Sequence, residues 1–149
     1  MITIQRERFE DAIEDLTPLL ARHWREIAED KDEVPLSPGY DIYCDLDSGD
    51  KLLFVTVRND EVLLGYFIGI LGPGLHYQET FECHMDIAYV DPEIRRTKVG
   101  YKLFQFVEDE LKKIGVKRWF VNSKLKHDLS SFYEKLGFSA IETVHSKML

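Results

Sequence analysis

Two cysteines in 149 residues, Cys44 and Cys83, are too few and too far apart for a disulfide framework, and neither sits in a CxxC pair. Two reduced thiols are expected. Long apolar runs are missing too. Nothing approaches the roughly 20 residues that cross a bilayer, and the opening MITIQRERF lacks the apolar stretch of a secretion signal. The expectation is a soluble, cytoplasmic protein with no membrane partner. No repeat or low-complexity tract appears. A GxGxxG turn after the first strand is absent, as is regular βαβ alternation, which excludes a dinucleotide-binding fold. His23, His76 and His145 are scattered without metal-ligand spacing, so no metal is assigned.

What the chain does have is apolar material, 44% hydrophobic and 12% aromatic, enough for one compact domain over residues 1–149. Its net charge of −8 is unevenly spread: residues 1–50 hold five Lys+Arg against fourteen Asp+Glu. Residues 95–126 reverse the balance, with ten basic residues against three acidic ones. A local positive field on an acidic molecule favours one small anionic ligand over nucleic acid, which the acidic third would repel. The acids of residues 26–50 can attract a cation, although such runs are more often a solvated face.

Hydrophobic periodicity outlines the elements. Residues 2–6 read as a strand, and Phe9, Ala12, Ile13 and Leu16 as a first helix. Thr17-Pro18 has the form of a cap followed by a first-turn proline, which predicts a bend and a second helix through Leu19, Leu20, His23, Trp24 and Ile27. Residues 28–50 show no period and read as a long, partly irregular segment. KLLFVTVR, the break NDE and VLLGYFIGIL form an antiparallel hairpin. ECHMDIAYV at 82–90 is the next strand, followed by a helix at about 98–114 closed by Gly115, with Val99, Leu103, Phe106, Val107, Leu111 and Ile114 inward. VKRWFVN adds a strand and SSFYEKLG a short helix stopped by Gly137. FSAIETVHSKML is expected to supply a final strand or two. The class is α+β with a mixed sheet.

The connection DPEIRRTKVGYKLF concentrates charge where a helix begins. Unpaired amides and the helix dipole make that a place for an anion.

These residues also carry a resemblance. VDPEIRRTKVGYKLF at 90–104 resembles the acetyl-CoA pyrophosphate loop of the GNAT superfamily of N-acetyltransferases, whose motif is Gln/Arg-x-x-Gly-x-Gly/Ala. Arg95 and Gly100 match its ends, and Lys98 stands where the first glycine would be. FYEKLGF, at 132–138, is similar to the family's C-terminal segment. Lys126 stands where many members carry an asparagine. The compact form resembles the stand-alone members carried by bacteria and their viruses.

The resemblance implies an acyl-CoA N-acyltransferase fold, a mostly antiparallel central sheet with helices on both faces. It implies an acyltransferase that moves an acetyl group from acetyl-CoA, without a metal, to a primary amine of a small molecule or protein by direct attack. Cofactor binding would fall to Arg95, Arg96, Thr97, Lys98, Val99, Gly100 and Tyr101 around the pyrophosphate, and to the backbone at Ala88 and Val90 beside the acetyl and pantetheine groups. Tyr133 corresponds to the tyrosine that supplies a proton or hydrogen bond to the departing thiolate. Counting back from Val90, His84 falls where some members keep a glutamate base.

Strand periodicity places Glu82, His84, Asp86, Ala88 and Val90 on one face. The general base is therefore His84, Glu82 or Asp86, histidine being the residue type that titrates near neutrality. Phe132, Leu136 and Phe138 read as core, and Asp128 as the cap of the short helix. A homodimer is compatible with this reading. Lys98 and Lys126 keep open a CoA-binding or protein-interaction module without turnover, and residues 95–126 a weaker polyanion-binding role.

Overall fold

A computed structural model describes residues 1–149. Its strands are β1 (Ile2–Arg6), β2 (Leu52–Asn59), β3 (Val62–Pro73), β4 (Phe81–Val90) and β5 (Arg118–Phe120). Its helices are α1 (Phe9–Ile27), α2 (Tyr40–Ser48), α3 (Val99–Ile114) and α4 (Ser130–Lys135), with a 3-10 turn at Pro92–Ile94. The strands form one sheet in chain order, antiparallel throughout except for the parallel β4–β5 pair. α1 and α2 cover one face, around Phe9, Leu16, Phe54, Tyr66 and Ile68. α3 and α4 cover the other, around Val55, Phe67, Leu103, Val107 and Tyr133. This is the expected α+β class with a mostly antiparallel sheet between helices.

The hairpin forms as its alternating residues require, with Asp60 taking the left-handed turn conformation at φ 53°. α3 buries Val99, Leu103, Phe104, Val107 and Leu111 and ends at Gly115, whose φ of 96° suits a residue without a Cβ.

Two expectations need correction, and the partly irregular 28–50 segment gains a helix. Residues 9–27 form one helix, not two, with Pro18 inside it. Pro18 faces solvent, where water can satisfy the Glu14 carbonyl that loses its amide partner. Meanwhile Phe9, Ala12, Leu16, Leu19, Leu20 and His23 stay buried along a single stripe. Thr17 does not cap; its hydroxyl donates back to the Ile13 carbonyl at 2.8 Å.

Part of the 28–50 segment is helical. Tyr40, Tyr43, Cys44 and Leu46 of α2 pack on the α1-side core, and Asp47 accepts from the Phe9 amide at 2.8 Å, so α2 caps the start of α1. Finally, no strand follows α4. Residues 139–149 are exposed and lie outside any element, since the three-residue β5 offers too short an edge for a ladder. Phe138 alone stays attached, its ring 4.9 Å from Trp119.

Candidate active site

β4 and β5 pair only from Glu82–Arg118 to His84–Phe120. Beyond that point they part, leaving the β5 side of residues 85–90 without a strand partner. Asn122, just past β5, reaches across the opening: its Nδ2 donates to the Met85 carbonyl at 3.3 Å. Beneath it Tyr133 of α4 donates to the Asn122 carbonyl at 2.8 Å, and its hydroxyl lies 4.0 Å from Met85 Sδ. Tyr133 is 7% exposed, and burial pushes its phenol up to about 12, so it holds its proton throughout the physiological range. The apex of the opening therefore has a neutral phenol for a floor and main chain for a wall.

A bulge sits at the same place. Gly69 pairs with Met85 and Ile68 with Ile87, which leaves Asp86 as the extra residue of β4. Gly69 is needed here because a Cβ would stand 2.6 Å from Cys83 Sγ. The bulge breaks the period of two. Cys83 and Met85 belong to the α3-side core, Ile87 and Tyr89 pack toward α1, and Ala88 and Val90 lie against the α3 side. Glu82, His84, Asp86, Ala88 and Val90 thus do not share one face, contrary to the strand pattern. Glu82, His84 and Asp86 project to the α1/α2 side, opposite Tyr133 across the sheet, while Ala88 and Val90 line the parted strands on the α3 side.

The three candidate bases differ sharply. Glu82 is buried and held by the Arg118 guanidinium, with Nε at 2.7 Å; that contact, together with the weaker one from His84, lowers its carboxyl below the usual range. His84 is open to solvent, its side chain 60% exposed, with Nε2 3.4 Å from Glu82 Oε1 and its ring 4.5 Å from Phe120. Asp86 is half-buried and accepts a hydrogen bond from Tyr43 of α2. Burial foremost, and then Asp86, push the Tyr43 phenol far up, so it too remains a donor.

At the other end of the opening, α3 begins. The amides of Arg96, Lys98, Gly100 and Tyr101 find no partner in the chain, while that of Val99 takes the Thr97 hydroxyl at 3.2 Å. The space where a Cβ would stand on Gly100 is open. Free amides, a helix start and an uncrowded backbone fit a pyrophosphate. Lys98 adopts φ −81°, a conformation open to any residue, so the loss of a glycine there costs no strain.

Arg95 does not point at this mouth. Its guanidinium forks onto Glu26 of α1 at 2.6 and 2.8 Å, Nε donates to the Val90 carbonyl at 2.7 Å, and the group lies 5.3 Å over Tyr89. Beside this pair a hollow of about 500 Å³, lined among others by Arg22, Arg25, Glu26 and Tyr89, carries charges of both signs.

Sequence reasoning missed Asn122 and Tyr43. Asn122 closes the run VKRWFVN, and a polar residue ending an apolar strand is the only signal it leaves. Tyr43 leaves none, because residues 28–50 show no period. Asp128 is not the N-cap of α4, a position Leu129 takes; from one residue further out its carboxylate accepts from the Ser130 amide at 2.9 Å. No group of three or more His, Cys, Asp or Glu side chains gathers as a metal site, and no helix is long and apolar enough to cross a membrane.

A sheet that parts between two parallel strands over a tyrosine, followed by a helix with free N-terminal amides, defines an acyl-CoA N-acyltransferase fold. Solved structures share it across essentially the whole chain. A ribosomal-protein-alanine N-acetyltransferase from Brucella melitensis biovar Abortus 2308 aligns at TM-score 0.72 and 17% identity, covering 100% of this chain and 99% of its own. Glucosamine-6-phosphate N-acetyltransferase from Arabidopsis thaliana aligns at 0.73 and 17%, covering 99% and 98%. An aminoglycoside acetyltransferase from an uncultured soil metagenomic sample, in complex with sisomicin, aligns at 0.76 and 15%, covering 99% and 95%. Among curated proteins none matches this sequence. The profile of the Acetyltransferase (GNAT) family matches residues 13–138, and the chain belongs to that family. It is an acyltransferase.

Proposed function

We propose that the protein transfers an acetyl group from acetyl-CoA to a primary amine by direct attack, the whole chain 1–149 acting as one catalytic domain in the cytoplasm. The observation that carries this reading is the opening between β4 and β5, with the Tyr133 hydroxyl at its apex and the free amides of Arg96, Lys98, Gly100 and Tyr101 at its mouth. Acetyl-CoA lies in the opening with its pyrophosphate on the α3 start and its pantetheine arm along Ala88 and Val90. Thr97 shapes the turn through its bond to Val99. Arg95 acts by holding the loop to β4 and α1 rather than by reaching the phosphates with its side chain.

The amine arrives from the α1/α2 side. His84 takes its proton, oriented by Glu82, and the nitrogen lone pair attacks the thioester carbon. A main-chain amide of the unpaired β4 edge supports the developing oxyanion. As the C–S bond breaks, Tyr133 gives a proton to the leaving thiolate; the nitrogen sheds its second proton to solvent as the amide forms, and the phenol regains one from solvent. Glu82 is not itself the base in this scheme, because Arg118 already occupies its carboxylate.

Two other readings lose support. A CoA-binding or protein-interaction module without turnover rests on Lys98 and Lys126; the backbone at Lys98 needs no glycine, and Lys126 lies 3.7 Å from Glu29. Polyanion binding was motivated by the basic stretch, yet Arg95, Lys112, Lys113, Arg118 and Lys126 each face a carboxylate.

The acceptors named for the similar structures (a ribosomal-protein alanine, glucosamine-6-phosphate, an aminoglycoside) set the first panel. Purified protein should bind acetyl-CoA in calorimetry and release free thiol with a primary amine. Neither binding nor thiol release across a broad amine panel would refute the proposal.

A further inference from the structure

Residues 139–149 leave the body of the protein as an arm. They run without a turn or bend, and none of their main-chain groups bonds to any other part of the chain. Extended, they span about 36 Å at roughly 3.3 Å per residue. The arm is not polar throughout: Ile141, Val144, Met148 and Leu149 all stand exposed, Ile141 at 68% and Val144 at 85%. Ile141, Thr143 and Val144 are of the β-branched type that favours a strand. The arm thus has the composition and the shape of a strand without a neighbour.

Its own sheet does not supply that neighbour. Phe138, where the arm begins, packs its ring 4.9 Å from Trp119, the middle residue of β5. The arm therefore starts beside the middle of the nearest edge and runs past its end within a few residues. No Gly, Pro, Asn or Asp occurs in residues 139–149 to turn it back.

The β5 edge is itself open. The Lys117 amide donates to the Phe81 carbonyl at 2.9 Å, so strand alternation turns the main-chain groups of Arg118 and Phe120 away from β4, to the side where the sheet ends. Such an edge takes up an additional strand. Arm and open edge lie at the same end of the sheet, four strands from β1. A twofold axis at that end sets each arm beside the other copy's β5, the self-matching arrangement that a symmetric pair needs. One three-residue ladder is weak alone. In an exchange two form together, and the second closes within a complex already made.

We propose that two copies of this chain exchange their 139–149 arms, each arm adding as a strand to the β5 edge of the other copy. The arm residue that pairs with Phe120 then stands beside that ring on the His84 side, where α1 and α2 do not reach. Each copy so walls one flank of the other's candidate acceptor side. That last consequence rests on the acetyl-transfer reading; the exchange does not.

Sedimentation equilibrium of the full chain should give a dimer. Thr143 and Val144 are adjacent, so their amides point to opposite edges of the arm. Of Thr143→Pro and Val144→Pro, at least one should weaken the dimer about tenfold or more, because proline removes a ladder donor, and circular dichroism should stay unchanged. Val144→Thr should leave the dimer intact. A chain that stays monomeric at every concentration reached would overturn the proposal, as would a dimer that both proline variants leave untouched.

Disulfide trapping separates exchange from pairing within one chain. In a Cys44→Ser background, a chain carrying Ile141→Cys, Glu142→Cys, Thr143→Cys, Val144→Cys or His145→Cys is mixed with a chain carrying Lys117→Cys. At least one mixture should yield a linked pair of the two different chains, and a chain carrying both substitutions should link to another copy rather than to itself. Linkage within a single chain, or no linkage across the series, would overturn the exchange. Neither measurement uses acetyl-CoA, so failure of the acetyl-transfer reading leaves both results standing.

Discussion

The Tyr133 hydroxyl and the Asn122 carbonyl, 2.8 Å apart, join α4 to the end of β5 at the point where β5 leaves β4. Asn122 in turn donates across the opening to Met85, beside the bulge at Asp86. The phenol has one proton to give. In the free protein it goes to Asn122, so service to a leaving thiolate requires the hydroxyl to turn from a carbonyl already within the apex.

Tyr133→Phe tests that service. Loss of a general acid costs about 10²–10⁴ in rate, so kcat should fall at least tenfold while the Kd for acetyl-CoA, whose pyrophosphate is proposed to sit at the α3 start, stays within a factor of two or so. Stability should drop by about 1 kcal/mol, because the Asn122 carbonyl loses its buried donor. Steady-state kinetics, calorimetry and urea unfolding check the three parts.

Glu26→Gln should tighten acetyl-CoA binding. Its carboxylate holds the Arg95 fork and is itself lowered chiefly by that hydrogen bond, so it stands ionised beside the loop proposed to hold a pyrophosphate. Removing one negative charge there should lower the Kd about threefold at low salt, a gain that shrinks at higher ionic strength as screening grows. Calorimetric titrations at two salt concentrations measure it.

His23 makes the fold acid-sensitive. It is 8% exposed, its Nδ1 lies 2.8 Å from the Tyr66 hydroxyl, and burial pushes its imidazole from 6.5 down to about 4. Between those two values the unfolded chain binds a proton that the native state refuses. Stability should therefore fall as pH drops from about 6.5 to about 4 and level off below. The loss is on the order of 3 kcal/mol at ~1.4 kcal/mol per pH unit. Urea midpoints at pH 7 and pH 5 should differ in wild type, and His23→Gln should remove most of the difference.

The two thiols should separate cleanly. Burial pushes Cys83 up to about 12 between the sheet and α3, whereas Cys44 is partly exposed on α2. Cys44 is raised as well, by partial burial and nearby acids including Glu10 and Asp41, so its reaction should be slow. A disulfide reagent should consume one thiol per native chain, slowly, and the second only after denaturation. Cys44→Ser should leave the native protein unreactive.

Much of the fold could be read from local pattern. The hairpin, β4, α3 and α4 each carry their own period and their own stop signals, and each forms within a residue or two of where the pattern puts it. The elements that escaped depend on contacts distant in sequence. Pro18 looks like a boundary until the buried stripe on both sides of it is seen to run along one core. α2 is only nine residues long and fully buries none of them, and its Tyr40, Tyr43, Cys44 and Leu46 acquire a reason to be helical only against the core built by α1 and the sheet. The end of the chain alternates like a strand but has no long edge beside it.

The candidate site divides in the same way. Residue types at short spacing, RRTKVG at the start of a helix and FYEKLGF after the last strand, pointed to the acetyltransferase family, because a helix start and a tyrosine are local features. What faces what was decided by the tertiary structure. One extra residue at Asp86 turned Ala88 and Val90 away from His84, the parting of β5 brought Asn122 over Tyr133, and α2 laid Tyr43 against Asp86. Each of these depends on how two strands or a helix and a strand are registered across the fold. Such registers are set by packing between segments far apart in the chain, which no periodicity within one segment encodes.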